Sequence, residues 1–122
     1  MLKFAKIIHG LMREHIIKPL VRSGEWPTIR KHFLEKNPTC AACGEKILLN
    51  VHHMQPFHEF PQLELDENNL ITLCMKNLCH LEIGHGDSFK SFNPNVKKDA
   101  EEALTYPERK DKIIARAKIN RK

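Results

Sequence analysis

Four cysteines stand in two short pairs, Cys40-Ala-Ala-Cys43 and Cys74-x4-Cys79. Zinc takes four soft or borderline ligands in a tetrahedron, and a CxxC turn offers two thiolates from one knuckle, so a second pair is needed to close the shell. Two residues five apart cannot share one face of an ideal helix. Cys74 is therefore expected to precede the helix that carries Cys79, or the Met75–Leu78 stretch to bulge. Two disulfides would be the reading in a secreted chain. The N-terminal apolar residues Ile7, Ile8, Leu11, Ile16 and Ile17 are, however, interrupted by Lys6, His9, Arg13, Glu14 and His15. That pattern matches neither a signal sequence nor a membrane span. A cytoplasmic location with reduced thiols is the expectation, and short cysteine spacings there read as metal ligands.

The second group of chemically able residues is histidine. His52 and His53 lie in an extended segment, where neighbours point to opposite faces. Such a pair can divide its work: one imidazole binds metal while the other acts as a base, since histidine titrates near 6.5. His80 follows Cys79 directly and is turned roughly 100° from it on a helix, so one can hold a structural ion while the other faces a site. Surface or packing roles suit His9, His15 and His32. His58 lies either near a substrate or simply in its loop. A C2H2 zinc finger fits poorly, because no spaced histidine pair falls on one predicted helix.

Hydrophobic periodicity supplies the elements that would position these groups. Phe4, Ile7, Ile8, Leu11, Met12 and Ile16 recur at helical steps over residues 2–20. Ser23-Gly24 breaks the chain. A second helix runs from about Pro27 to Lys36, with Trp26, Ile29, Phe33 and Leu34 available to a core. Residues 45–54 read as extended, 55–68 as a loop, and Leu70–Leu73 as a short strand. Met75 to about Ile83 reads as a helix that Gly84 stops. Asn93-Pro94 opens a helix through about Leu104.

With 122 residues, 41% of them hydrophobic, the chain fits one small domain that would gain from a structural staple. Its net charge of +5 favours polyanions. The stretch 109–122 carries seven lysines and arginines against one aspartate.

The blocks Cys40-x2-Cys43, Val51-His52-His53, Asn69-Leu70-x2-Leu73-Cys74 and Cys79-His80, in that order, resemble the HNH endonuclease family. The resemblance spans about residues 38–86. Gly84-His85-Gly86 and Ser91–Val96 resemble the flanks of phage-type members, which would place the chain in a bacterial host cell, encoded by a phage or prophage. The resemblance implies a small α+β fold: a ββα-metal (His-Me finger) core at 38–86 stapled by a four-cysteine zinc site. N-terminal helices (1–37) and a basic helical C-terminal tail (93–122) would flank it within a single domain, 1–122.

By position, the resemblance implies that His52 and His80 ligate a catalytic divalent ion and that His53 is the general base. Asn69 would hold the base's strand by hydrogen bonding, whereas Asn68 lies one place off the Asn-Leu pairing. His85 follows His80 by five residues, about 140° round an ideal helix. It becomes a third ligand if Gly84 lets it swing back, and otherwise a phosphate contact or a surface residue.

The implied activity is metal-dependent hydrolysis of DNA phosphodiesters. His53 would activate water and the ion would stabilise the phosphate and the 3′ leaving group. The implied cofactors are a structural Zn2+ and a catalytic Mg2+, Mn2+, Ni2+, cobalt or Zn2+ ion. DNA is the expected partner, double-stranded because aromatic residues are sparse, with no membrane and with a partner protein as one source of specificity. Lys90, Lys97 and Lys98 are the chief candidates for phosphate contacts, and the 109–122 tail is either another or a solvated helix face. Two rivals remain: a zinc-stabilised DNA-binding module without catalysis, and a zinc hydrolase of another substrate. The presence of His52, His53, Asn69 and His80 argues against the first, and the basic charge against the second.

Overall fold

The computed structural model describes residues 21–122. The helix expected over 2–20, with His9 and His15, lies outside them. The first described helix, α1 (Trp26–Lys36), carries Pro27 in its first turn, where the fixed φ suits a helix and the missing N–H costs nothing. Asn37 closes it: its backbone N–H and its Nδ2 both donate to the Phe33 carbonyl, at 2.8 and 3.1 Å. Phe33 is buried against Val51 and Leu70, with Trp26, Ile29 and Leu34 packed around them.

Val51 and Leu70 belong to a two-stranded antiparallel sheet of β1 (Leu49–His53) and β2 (Leu70–Cys74). The register runs from Leu49 opposite Cys74 to His53 opposite Leu70. Residues opposite one another share a face. Val51, His53 and Leu70 therefore look toward α1, while His52, Ile71 and Leu73 look the other way. That second face meets the main core, where Ile71, Leu73, Ile83, Val96, Ala100, Ala103 and Ile113 are buried together. Both faces of this short hairpin are covered, which a lone hairpin needs for stability.

The segment after β2 departs from the helix expected over Met75–Ile83. Residues 75–78 form turns, and Leu78 takes a left-handed φ of 60°. Only His80–Gly84 is helical, and it is wound as a π-helix. The physical reason is the cysteine spacing: Cys74 and Cys79 both point into one cluster, so the chain must reverse between them.

Two further helices complete the structure, α2 (Val96–Thr105) and α3 (Lys110–Asn120). α2 starts later than Asn93-Pro94 suggested. Asn93 Oδ1 accepts the Asn95 N–H at 3.0 Å, an Asx-type turn ahead of the helix. Asn93 is fully buried and ties three elements together. Its Nδ2 donates to the Ile83 carbonyl (3.0 Å) and to Asp99 of α2 (2.8 Å), and its N–H donates to the Gly84 carbonyl (3.0 Å). Arg116 of α3 reaches the other Asp99 oxygen at 2.6 Å. The end of the chain returns to the same place, where Phe92 and Lys122 exchange two backbone hydrogen bonds of 3.0 and 2.9 Å. Among the described residues, no helix is long and apolar enough to cross a membrane.

This network ties the end of the π-helix to α2 and α3. Removing the Asp99 carboxylate by Asp99→Ala leaves the buried Asn93 amide without one acceptor. Such a loss costs about 1–3 kcal/mol. The urea midpoint of the variant should fall accordingly, and an unchanged midpoint would show the network to be dispensable.

Candidate active site

The sulfurs of Cys40, Cys43, Cys74 and Cys79 lie within 4.8 Å of one another, and Cys43 and Cys74 are 3.6 Å apart. Zinc–sulfur bonds of about 2.3 Å set tetrahedral S···S edges at roughly 3.8 Å, so the cluster has the dimensions of a four-thiolate metal site. Three N–H groups at 3.4 Å point at these sulfurs: Cys74 N–H at Cys40, Asn77 N–H at Cys74, and Asn77 Nδ2 at Cys43. Such donors stabilise thiolates. Asn77 sits in the four-residue spacer between Cys74 and Cys79, so the extended spacing supplies two of these donors. The Cys40 thiolate is favoured chiefly by a hydrogen bond from the Cys79 thiol, and that same bond pushes Cys79 up. Four thiols packed together can ionise as a set only beside a cation. The cluster can hold a metal such as zinc.

A second cluster lies on the other side of β1. His52, His80 and His85 bring one ring nitrogen each within 4.8 Å of the others. His80 Nε2 is 3.1 Å from His52 Nδ1 and 3.2 Å from His85 Nε2. Metal–imidazole bonds of about 2.1 Å put neighbouring ligand nitrogens roughly 3.0–3.4 Å apart, so this triad also has the dimensions of a metal site.

The winding of the chain explains how His85 arrives there. In the π-helix the His85 N–H bonds to the His80 carbonyl, five residues back, at 3.1 Å. That pitch sets His80 and His85 one above the other, where an α-helix would hold them about 140° apart. Gly84 allows the close approach. A Cβ there would stand 3.0 Å from Leu73 Cδ1 and 3.3 Å from both the His52 and His80 rings. His85 Nδ1 donates to the Ser91 carbonyl at 2.7 Å, which leaves Nε2 with its lone pair toward the cluster. Burial keeps all three rings neutral: His52 lies well below the usual imidazole value, His85 is lowered, and His80 falls to about 4. The buried atoms His52 Nε2 and His80 Nδ1 find no partner among the described residues. If they carry the ring protons, three lone pairs converge on one point, which is the arrangement a cation requires.

His53 faces away from the triad, over α1. Its ring lies 4.5 Å from that of Trp26 at a tilt of 39°. Its Nε2 is 2.9 Å from the Glu64 carbonyl. A carbonyl only accepts, so Nε2 carries the proton and Nδ1 is the basic nitrogen. Burial lowers its pKa, against the opposing pull of the hydrogen bond to Glu64, and the Arg22 charge acts with burial while the Glu64 charge acts against it.

Asn69 is buried at the start of β2 and clasps the loop after β1. Its Nδ2 donates to the carbonyls of Gln55 (3.0 Å) and Leu63 (3.3 Å), and its Oδ1 accepts the Gln55 N–H (2.8 Å). This clasp shapes the loop that ends in Glu64, the partner of His53. Asn68 is exposed and takes no part in the clasp.

His52, His53, His80 and His85 line one open cleft of about 380 Å³, walled by Arg22, Phe57, His58 and Phe89. Phe89 packs beside the triad, its ring 4.9 Å from His85 and 5.7 Å from His80. Lys90 is exposed between the cleft residues Phe89 and Ser91. Lys97 and Lys98 line a neighbouring groove that shares Phe92 with the cleft. His32 is exposed on α1, away from the cleft lining.

Much of the tail's charge serves the fold. Arg116 binds Asp99 and Glu102, Arg109 binds Glu102, Lys118 binds Asp87, and Lys110 and Arg121 reach the carbonyls of Asn77 and Gly86. Sequence reasoning passed over Arg22, Trp26, Glu64 and Asn77 as site residues. Their roles depend on loop geometry that leaves no periodic mark.

Residues 40–86 match the family model described as HNH endonuclease. This segment is an HNH domain. It spans both metal-site clusters, His53 and Asn69, and covers under half of the chain. No curated protein and no solved structure matches the chain.

The four lowered histidines of the HNH domain fix a pH dependence. Unfolded rings titrate near 6.5. Between that value and the lower folded ones, the unfolded chain binds more protons than the native one. Their contribution is therefore complete above about pH 6.5 and declines as pH falls, for His80 down to about 4. An ion on the triad would act in the same direction, since only neutral imidazole ligates. Urea midpoints measured from about pH 7.5 down to about pH 4.5 should fall steadily, and a flat profile would contradict the buried, neutral triad.

Proposed function

We propose that this chain is a metal-dependent DNA endonuclease that hydrolyses phosphodiester bonds, with His53 as general base. The observation that carries the reading is the hydrogen bond of His53: Nε2–H is committed to the Glu64 carbonyl, which leaves Nδ1 to take a proton in the cleft that the three imidazoles also line. Burial and the nearby Arg22 keep that ring neutral near pH 7, the form a base needs. His53 removes a proton from water, the oxygen attacks phosphorus, and the bond from phosphorus to the 3′ oxygen breaks. The departing oxygen takes a proton from solvent, and the products are a 5′-phosphate and a 3′-hydroxyl. Asn69 acts as a positioning residue, because its clasp on Gln55 and Leu63 fixes the loop that orients His53.

His52, His80 and His85 would hold the catalytic ion through Nδ1, Nε2 and Nε2, respectively. A divalent ion there supplies positive charge to the scissile phosphate and the leaving oxygen. Three imidazole donors favour borderline ions such as cobalt, nickel or zinc over magnesium and manganese, which prefer oxygen ligands. The four cysteines would hold a structural zinc. Duplex DNA is the proposed substrate, with Lys97 and Lys98 contacting the backbone from the groove beside the cleft and Lys90 from its rim.

A plasmid nicking assay tests the assignment. The protein should nick in the presence of a divalent ion and stop when EDTA strips it. His53→Ala should cut about 10²–10⁴-fold more slowly while keeping its fold and metal. A His53→Ala protein that nicks at the parental rate would remove His53 from the base's role. Tight DNA binding without nicking under any divalent ion would favour a binding module.

A further inference from the structure

Glu64 is an unusual residue for its place. It lies in a loop, yet its side chain is only 5% exposed. Its backbone carbonyl holds the base, His53. Its carboxylate turns to the segment before α1, accepting the Ser23 N–H at 3.1 Å and the Arg22 Nη1 at 3.5 Å. A buried carboxylate needs such partners. The Arg22 side chain, by contrast, is 49% exposed and lines the cleft with His52, His53, His80 and His85. Its guanidinium stacks over the Phe57 ring at 4.4 Å and stands 5.6 Å from that of Trp26. The ring and the carboxylate together hold the guanidinium at the cleft wall. Of its five N–H donors, the one hydrogen bond made among the described residues uses a single nitrogen. An arginine that lines a cleft, with donors to spare among the described residues, suits a bidentate contact with a phosphate.

We propose that Arg22 binds the phosphate backbone of the substrate in the cleft, on the His53 side of the triad, and that Glu64 is its positioning residue. This rests on the nuclease reading above. Guanidinium N–H groups grip the non-bridging oxygens, while the carboxylate and the Phe57 ring hold the fork in place. One residue thus aligns both the base, through its main chain, and the phosphate clamp, through its side chain.

The test combines cleavage with binding. Arg22→Ala should lower kcat/KM by about 10²-fold or more, the scale seen when one preorganised donor to a reacting oxygen is removed. Added guanidinium ion should restore part of the loss. Arg22→Lys should fall between, because it keeps the charge and loses the fork. Glu64→Gln, which keeps the backbone carbonyl, should raise KM more than it lowers kcat. In a His53→Ala background, adding Arg22→Ala should reduce the salt slope of DNA binding by about one. Full cleavage by Arg22→Ala, or an equal loss in Arg22→Ala and Arg22→Lys with no guanidinium rescue, would overturn the assignment. An unchanged salt slope would overturn it too, and that readout does not depend on the variant being able to cut. If the parental protein cuts nothing, the nuclease reading fails, and the binding arm still decides whether Arg22 meets phosphate.

Discussion

Three imidazole nitrogens, from His52, His80 and His85, stand 3.1 and 3.2 Å apart in a place that disfavours protonation. This is the constraint around which the rest is arranged. Burial makes the protonated rings costly, and what passes between the neutral rings is set by their tautomers. The folded chain holds the rings together by several means: the pairing of β1 with β2, the π-helical pitch between His80 and His85, the absence of a side chain at Gly84, and the Ser91 carbonyl on His85 Nδ1. A divalent ion there would take one lone pair from each ring.

The four-cysteine cluster answers a different need. A two-stranded sheet is marginal alone, and here β2 ends at Cys74, with Cys79 opening the π-helix that carries His80. Joining Cys74 and Cys79 to the Cys40–Cys43 knuckle fixes where that helix begins. The knot thus sets the position of His80 while lying apart from the cleft. His53 and Asn69 belong to the loop side, where Asn69, Glu64 and Trp26 fix a ring that faces away from the triad yet opens to the same cleft. Alternation along one strand is what lets adjacent histidines serve two groups without competing.

The parts legible in the sequence are those that spacing controls. The two cysteine pairs, the opposite facing of His52 and His53, the strand at Leu70 and the helix after Pro27 follow from periodicity and ligand chemistry. The helix read from Met75 begins only at Cys79–His80, and the break over Met75–Leu78 that the cysteine spacing demands is what the chain adopts, with Leu78 in a left-handed conformation that no helical pattern announces. The π-helical pitch at His80–His85 was equally hidden, since ideal α geometry separates the two rings. The basic tail is legible as charge and as helix, but not in its ion pairs. Arg109, Arg116 and Lys118 meet acids that lie far away in sequence or in another element. Glu64 and Arg22 left no sequence signal because a loop and the segment before α1, 41 or 42 residues apart, meet only in three dimensions.

The most direct measurement is stepwise removal of metal from one preparation, following bound ions per chain, thermal unfolding and nicking together. Two classes of ion are expected. The weaker, held by imidazoles, leaves first and takes nicking with it while the fold persists. The tighter, held by thiolates, leaves only as the protein unfolds. Nicking that survives loss of the weaker ion, or a chain whose histidines bind no ion while it still cuts, would contradict a division between a structural knot and a catalytic triad of imidazoles.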